Sequence, residues 1–117
     1  MVDFKKLVRS FSYAWRGLGY ALSEQNFKIM LVAGLIVVLL MIFLPVTAKE
    51  SVVLILAITF VLVLELMNTI FERLTELAMP RLHHYVAIIK DVMAAAVFLA
   101  TLGAIVVGAL ILWPYLF

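Results

Sequence analysis

The chain opens with an amphipathic stretch and then turns almost wholly apolar, interrupted by two short polar connectors. Over residues 1–25, Phe4, Leu7, Val8, Phe11, Trp15, Leu18 and Leu22 share one helical face, while Lys5, Lys6, Arg9, Tyr13, Arg16 and Tyr20 share the other. This pattern predicts a helix that lies on a membrane surface. Arg9 and Arg16 break the continuous apolar core that a cleavable signal would need, so the segment is expected to be retained. Three predominantly apolar tracts follow, each long enough to cross a bilayer. Residues 28–46 predict a first span stopped by Pro45. Residues 51–78 predict a second, with Ser51 as its N-cap and an end that frays at Met79-Pro80. Residues 86–113 predict a third, stopped by Pro114. The expected architecture is an all-α membrane protein, a single membrane-embedded domain over residues 1–117.

Composition agrees with the pattern. Of 117 residues, 68% are hydrophobic and 14% charged, too few polar side chains to cover a soluble surface. The absence of cysteine excludes disulfides, thiolate metal sites and cysteine nucleophiles. The net charge of +2 matters through its placement. Lys5, Lys6, Arg9, Arg16 and Lys28 precede the first span and Arg73, Arg81 and Lys90 flank the second connector, against Lys49 alone in the first connector. This asymmetry predicts a cytoplasmic N-terminus in a multi-pass protein, with Trp113 and Tyr115 anchored at the far interface. The basic face of the first helix reads either as an anchor to anionic lipid or as part of a nucleotide site. Nucleic acid is not an expected partner. There is no P-loop, and Gly17-Leu18-Gly19 is too short for a dinucleotide fingerprint, so any nucleotide is bound by other means.

Candidate chemistry is concentrated late in the second span. Glu65, Asn68, Thr69, Glu72 and Glu76 fall within a wedge roughly 100° wide on a helix of 100° per residue. Ionisable groups beside a bilayer are costly without partners or water, which makes this cluster a functional candidate. Glu65 is the deepest, and burial makes a carboxylate a stronger base, suited to taking a proton from a hydroxyl. Glu72, nearer the interface, suits a divalent cation, with Glu24 as a second carboxylate from another element; Mg²⁺ takes a few such oxygens together with water and phosphate. Lys90 and Asp91 lie at similar depth on the third span, where Lys90 can neutralise phosphate and Asp91 can orient it or accept a hydrogen bond. Plainer readings stand beside these. Glu65 and Asn68 can form a buried hydrogen-bonded pair between helices, Glu76 is either a solvated helix-end residue or a partner for Arg73, and His83 and His84 read as connector residues before metal ligands. Ala96, Ala100, Ala104 and Gly108 form a small-residue seam expected to mark a helix contact.

The run Glu65-Leu66-Met67-Asn68-Thr69-Ile70-Phe71-Glu72, followed by Lys90-Asp91, resembles the Glu-x-x-Asn-Ser/Thr-Ala-Ile-Glu and Ala-Lys-Asp signatures of the prokaryotic diacylglycerol kinase and undecaprenol kinase family. Tyr13-Ala14-Trp15-Arg16-Gly17-Leu18, Glu24 ahead of Asn26-Phe27, and His83 seven residues before Lys90 extend the likeness over nearly the whole chain. The chain departs from the pattern at Ile70, Phe71 and Ile89, each bulkier than usual, at Ala95 in place of a Gly, and at Arg81-Leu82 in place of an acidic-aromatic pair.

The resemblance implies a homotrimer of three-span subunits in the bacterial inner (cytoplasmic) membrane, with sites shared between subunits at the cytoplasmic interface. It implies Mg²⁺-dependent transfer of phosphate from ATP to a lipid alcohol. Glu65 corresponds to the catalytic base, with Ala94 beside it at the lipid substrate, and Glu24 and Glu72 to the metal ligands. Lys6, Tyr13, Glu24, Asn68, Glu72, Arg81, Leu82, His83, Lys90 and Asp91 correspond to nucleotide-binding positions. Glu24-Gln25-Asn26-Phe27 and Met30 are closer to the undecaprenol kinases than to the diacylglycerol kinases. Two rival readings are a catalytically silent membrane assembly or lipid-binding subunit of the same fold, motivated by Ile70, Phe71 and Ile89, and a small proton or ion carrier.

Overall fold

The computed structural model describes residues 1–81 and 83–117. Those residues form four helices in the order α1 (Phe4–Ala21), α2 (Gln25–Phe43), α3 (Ala48–Ala78) and α4 (His83–Leu116). The last three are long and apolar enough to cross a membrane. At 1.5 Å per residue, α2 is about 28 Å long, which matches the roughly 30 Å hydrocarbon core, whereas α3 and α4 reach about 46 and 51 Å. The surplus length of α3 and α4 includes the turns that bear Glu72 and Lys90.

The helix ends follow local chemistry, and several depart from the sequence expectation. Asp3 caps α1 by accepting the Lys6 backbone N–H at 3.2 Å. Helix α2 stops at Phe43 because Leu44 precedes Pro45 and is driven into extended geometry, φ −99° and ψ 150°. Thr47, not Ser51, caps α3: its Oγ1 accepts from the Glu50 N–H at 3.1 Å, while Glu50 Oε1 accepts from the Thr47 N–H at 3.0 Å. This reciprocal capping box starts the helix before Ser51, which sits in the first turn with its N–H donating to Thr47 O. Pro114 does not stop α4. The helix continues to Leu116, and the Phe117 N–H donates to Trp113 O at 3.0 Å, closing the last turn past the proline.

Helix α3 is the centre of the fold, packed most extensively on α4 and also on α2. Leu54, Val61, Glu65 and Thr75 are its buried residues, at offsets of 7, 11 and 21 from the first, so one line along the helix faces inward. Phe27 and Gly34 of α2 and Val86, Val97 and Leu112 of α4 are buried as well. Gly34 marks the close approach of α2 to α3: a Cβ there would lie 2.8 Å from Ile58 Cγ2.

Ala96, Ala100, Ala104 and Gly108 of the seam are each half-buried on α4, the helix that packs most extensively on α3. Ala104 and Gly108 line an apolar groove of about 340 Å³ between α2 and α4, floored by Leu54, Ala57 and Ile58 of α3. A Cβ at Gly108 would meet open space. The small side chains leave a channel between the helices where larger ones would have filled it.

Candidate active site

A second cleft opens between α3 and α4, about 520 Å³ in volume. Glu65, Asn68 and Glu72 line it from α3, Lys90, Asp91 and Ala94 from α4, and Asn26 and Met30 from α2. Six of the residues singled out in the sequence thus meet in one cavity of a single chain.

The polar wedge on α3 divides between two sides of the helix. Glu65, Asn68 and Glu72 turn towards α4, whereas Thr69 and Arg73 line a groove of about 880 Å³ between α3 and α1. Thr69 returns its Oγ1 to the backbone oxygen of Glu65 at 3.1 Å. Glu76 pairs with Arg73 at 3.6 Å, the second of the two readings its position allowed.

Glu65 continues the buried line of Leu54 and Val61 and is itself only 3% exposed. A carboxyl group so placed is shielded from bulk water yet borders the cleft. One turn on, Asn68 Nδ2 donates to Glu72 Oε1 at 3.2 Å, so Asn68 braces Glu72 rather than pairing with another helix. Glu72 Oε2 makes no hydrogen bond or ion pair among the described residues. Glu24 is the N-cap residue of α2 but makes no side-chain cap bond. Its Oε1 instead meets Arg73 Nη2 at 3.3 Å, which ties the start of α2 to α3.

The remaining nucleotide-site candidates lie outside this cleft. Lys6 and Tyr13 are exposed on α1, and the Arg16 guanidinium stands 5.6 Å from the centre of the Tyr13 ring. Arg81 is exposed in the connector, and His83 opens α4 with Nδ1 3.4 Å from Met79 Sδ. Leu82 lies outside the described residues. Among the three bulky departures, Phe71 lines the cleft, Ile70 lines the groove against α1, and Ile89 is exposed on α4.

Sequence reasoning used Asn26 only as part of the family likeness and did not single out Thr101, both of which line the cleft, nor the Arg73–Glu24 pair. Asn26 had a usable signal, as an amide in the first turn of an apolar span beside Glu24. The pair had none, because its partners are 49 residues apart.

The donor set can be tested against the chemistry of Mg²⁺. Glu24 and Glu72 offer hard carboxylate oxygens, and among the described residues no cluster of three or more His, Asp or Glu could hold a metal alone. Two carboxylates completed by phosphate and water suit a cation that arrives with a nucleotide. Lys90 lines the cleft with Glu72, whereas Glu24 does not, and an ammonium there is of the charge that phosphate oxygens attract.

Comparison with known proteins agrees with this chemistry. A family model described as prokaryotic diacylglycerol kinase matches residues 12–112. The chain is 39% identical over 110 residues to a diacylglycerol kinase of Synechocystis sp., covering 92% of this chain and 63% of that protein. It is 28% identical over 113 residues to the diacylglycerol kinase of Escherichia coli K12, covering 96% of this chain and 93% of that protein. A diacylglycerol kinase of Shigella flexneri matches to the same extent. The chain therefore spans less than two thirds of the Synechocystis relative and nearly the full length of the enteric ones. With the match running from the middle of α1 to the last turns of α4 and taking in every residue that lines the polar cleft, the chain belongs to the prokaryotic diacylglycerol kinase family.

Proposed function

We propose that this protein is a lipid kinase that transfers the γ-phosphate of ATP to the hydroxyl of a membrane lipid alcohol, undecaprenol or diacylglycerol, at the cytoplasmic interface. The observation that carries the reading is the meeting of a buried carboxylate, Glu65, with Lys90, Asp91 and the Asn68–Glu72 pair in one cleft at the polar ends of α3 and α4.

The chain's own groups perform distinct tasks. Glu65 accepts the proton of the lipid hydroxyl, and the freed oxygen attacks the γ-phosphorus in line as the bond to the β–γ bridging oxygen breaks, giving lipid phosphate and ADP. Lys90 offers its ammonium to the phosphoryl oxygens, where negative charge must be held through transfer. Asp91 orients the phosphate or accepts from the nucleotide, and Ala94 leaves room beside Glu65 for the lipid. Asn68 fixes the Glu72 carboxylate. Glu24 and Glu72 would hold Mg²⁺, which neutralises phosphate charge when bound.

Lys6, Tyr13, Arg81, Leu82 and His83 act as nucleotide contacts in a homotrimer whose sites are completed by adjoining subunits. The placement of the described four outside their own chain's cleft supports that arrangement. The protein resides in the bacterial inner (cytoplasmic) membrane, with α1 on the cytoplasmic side. The silent-subunit reading is less well supported, because Phe71 borders the cleft without filling it. The test is transfer of label from [γ-³²P]ATP to undecaprenol or diacylglycerol in mixed micelles. Lipid labelling by the intact chain supports a kinase, and its absence from well-folded protein favours the silent subunit.

A further inference from the structure

Arg73 is held by two carboxylates at once. Nη2 lies 3.3 Å from Glu24 Oε1 at the start of α2, and Nη1 lies 3.6 Å from Glu76 Oε2 one turn along its own helix. We propose that Arg73 is an exchangeable counter-ion for Glu24: it occupies this carboxylate until a divalent cation arrives with nucleotide, then hands it over and retains Glu76. The inference rests on the reading of Glu24 as a metal ligand.

Three observations support the exchange. The Arg73–Glu24 contact is made through a single nitrogen, between side chains that are 65% and 32% exposed, so the pair is held weakly and separates readily. Glu24 makes no cap bond to its own helix, which leaves Arg73 as its hydrogen-bonding side chain among the described residues. Glu76, 59% exposed and at i+3 on the same helix, keeps Arg73 paired after Glu24 leaves. A guanidinium and a divalent cation repel each other, so they compete for the Glu24 oxygens.

The sign of this effect separates it from a purely structural ion pair. Binding of Mn²⁺, presented with a non-hydrolysable ATP analogue to the full chain in detergent micelles, is read from the electron paramagnetic resonance signal of free Mn²⁺. Arg73→Ala is expected to tighten binding about two- to fivefold, the scale of a weak surface pair. Glu76→Gln is expected to weaken it, because Arg73 then holds Glu24 alone. In the Arg73→Ala/Glu76→Gln double variant the Glu76 effect should disappear. Unchanged or weaker binding in Arg73→Ala, with helix content by circular dichroism as in the parent, overturns the exchange. A Glu76→Gln effect that persists without Arg73 also overturns it, in favour of simple loss of negative charge. If Glu24→Gln leaves Mn²⁺ binding unaltered, Glu24 is not a ligand and the exchange fails with it. Lipid phosphorylation, measured separately, decides the kinase reading on its own.

Discussion

Asn68 and Glu72 are joined across one turn of α3, the amide Nδ2 donating to Oε1 at 3.2 Å. The bond turns an acidic side chain at a helix end into an oriented one, because a carboxylate fixed through one oxygen presents the other in a defined direction. Loss of a group that orients a metal ligand typically costs ten- to a hundredfold in affinity or activity. Asn68→Ala is expected to lower kcat/KM by about tenfold or more and to raise the Mg²⁺ concentration needed for half activity. Kinetics at varied Mg²⁺ check this, and an unchanged Mg²⁺ requirement would separate Asn68 from Glu72.

Gly34 faces Ile58 where α2 meets α3, and a Cβ there would stand 2.8 Å from Ile58 Cγ2. A β-branched side chain on a helix has little freedom to turn aside, so Gly34→Ala must push the helices apart. The expected cost is about 1–3 kcal/mol, seen as a lower melting temperature in micelles. Adding Ile58→Ala should recover part of the loss by making room. A melting temperature unaffected by Gly34→Ala would mean that the helices do not approach this closely.

Much of this fold was legible in the chain, for reasons that particular residues make plain. Long uncharged tracts can be buried only in a bilayer, so the three spans were visible from their apolar runs. The ends were less so. The first connector, Thr47-Ala48-Lys49-Glu50, reads as polar because three of its four residues are, yet Thr47 and Glu50 satisfy each other's backbone amides and start the helix there. Pro114 looked like a stop, but it forfeits one hydrogen bond in a last turn that closes without it. The wedge on α3 was plain from helical spacing, whereas its division between α4 and α1 depends on where the neighbouring helices lie. The Arg73–Glu24 pair was invisible for the same reason, since periodicity reports only neighbours on one helix.

At the opposite end of the molecule, the Tyr115 hydroxyl donates to Glu50 Oε1, the same oxygen that accepts from the Thr47 N–H. This contact fastens the end of α4 to the start of α3. Tyr115→Phe is expected to lower the melting temperature while leaving turnover at the normal level, because Glu50 and Glu65 are roughly 22 Å apart along the helix. A selective loss of activity without loss of stability would contradict this division of roles.

Glu72→Gln preserves the size of the side chain and can still pair with Asn68, but removes the charge that would bind a cation. The expected result is a fall in kcat/KM of at least about a hundredfold, only partly restored by excess Mg²⁺. Chelation of divalent ions should stop the parent enzyme reversibly. Full activity in chelator, or in Glu72→Gln at ordinary Mg²⁺, would remove the metal from the proposed mechanism.

The central claim is that buried Glu65 removes the proton from a lipid hydroxyl. Its most direct test is the initial rate of label transfer from [γ-³²P]ATP to undecaprenol and diacylglycerol in mixed micelles, comparing the parent with Glu65→Gln, which keeps the volume and loses the base. The account predicts labelled lipid from the parent and a rate lower by about 10² to 10⁴ in the variant, the usual contribution of a positioned general base, with nucleotide binding largely kept. A variant that phosphorylates lipid at the parent's rate would contradict it.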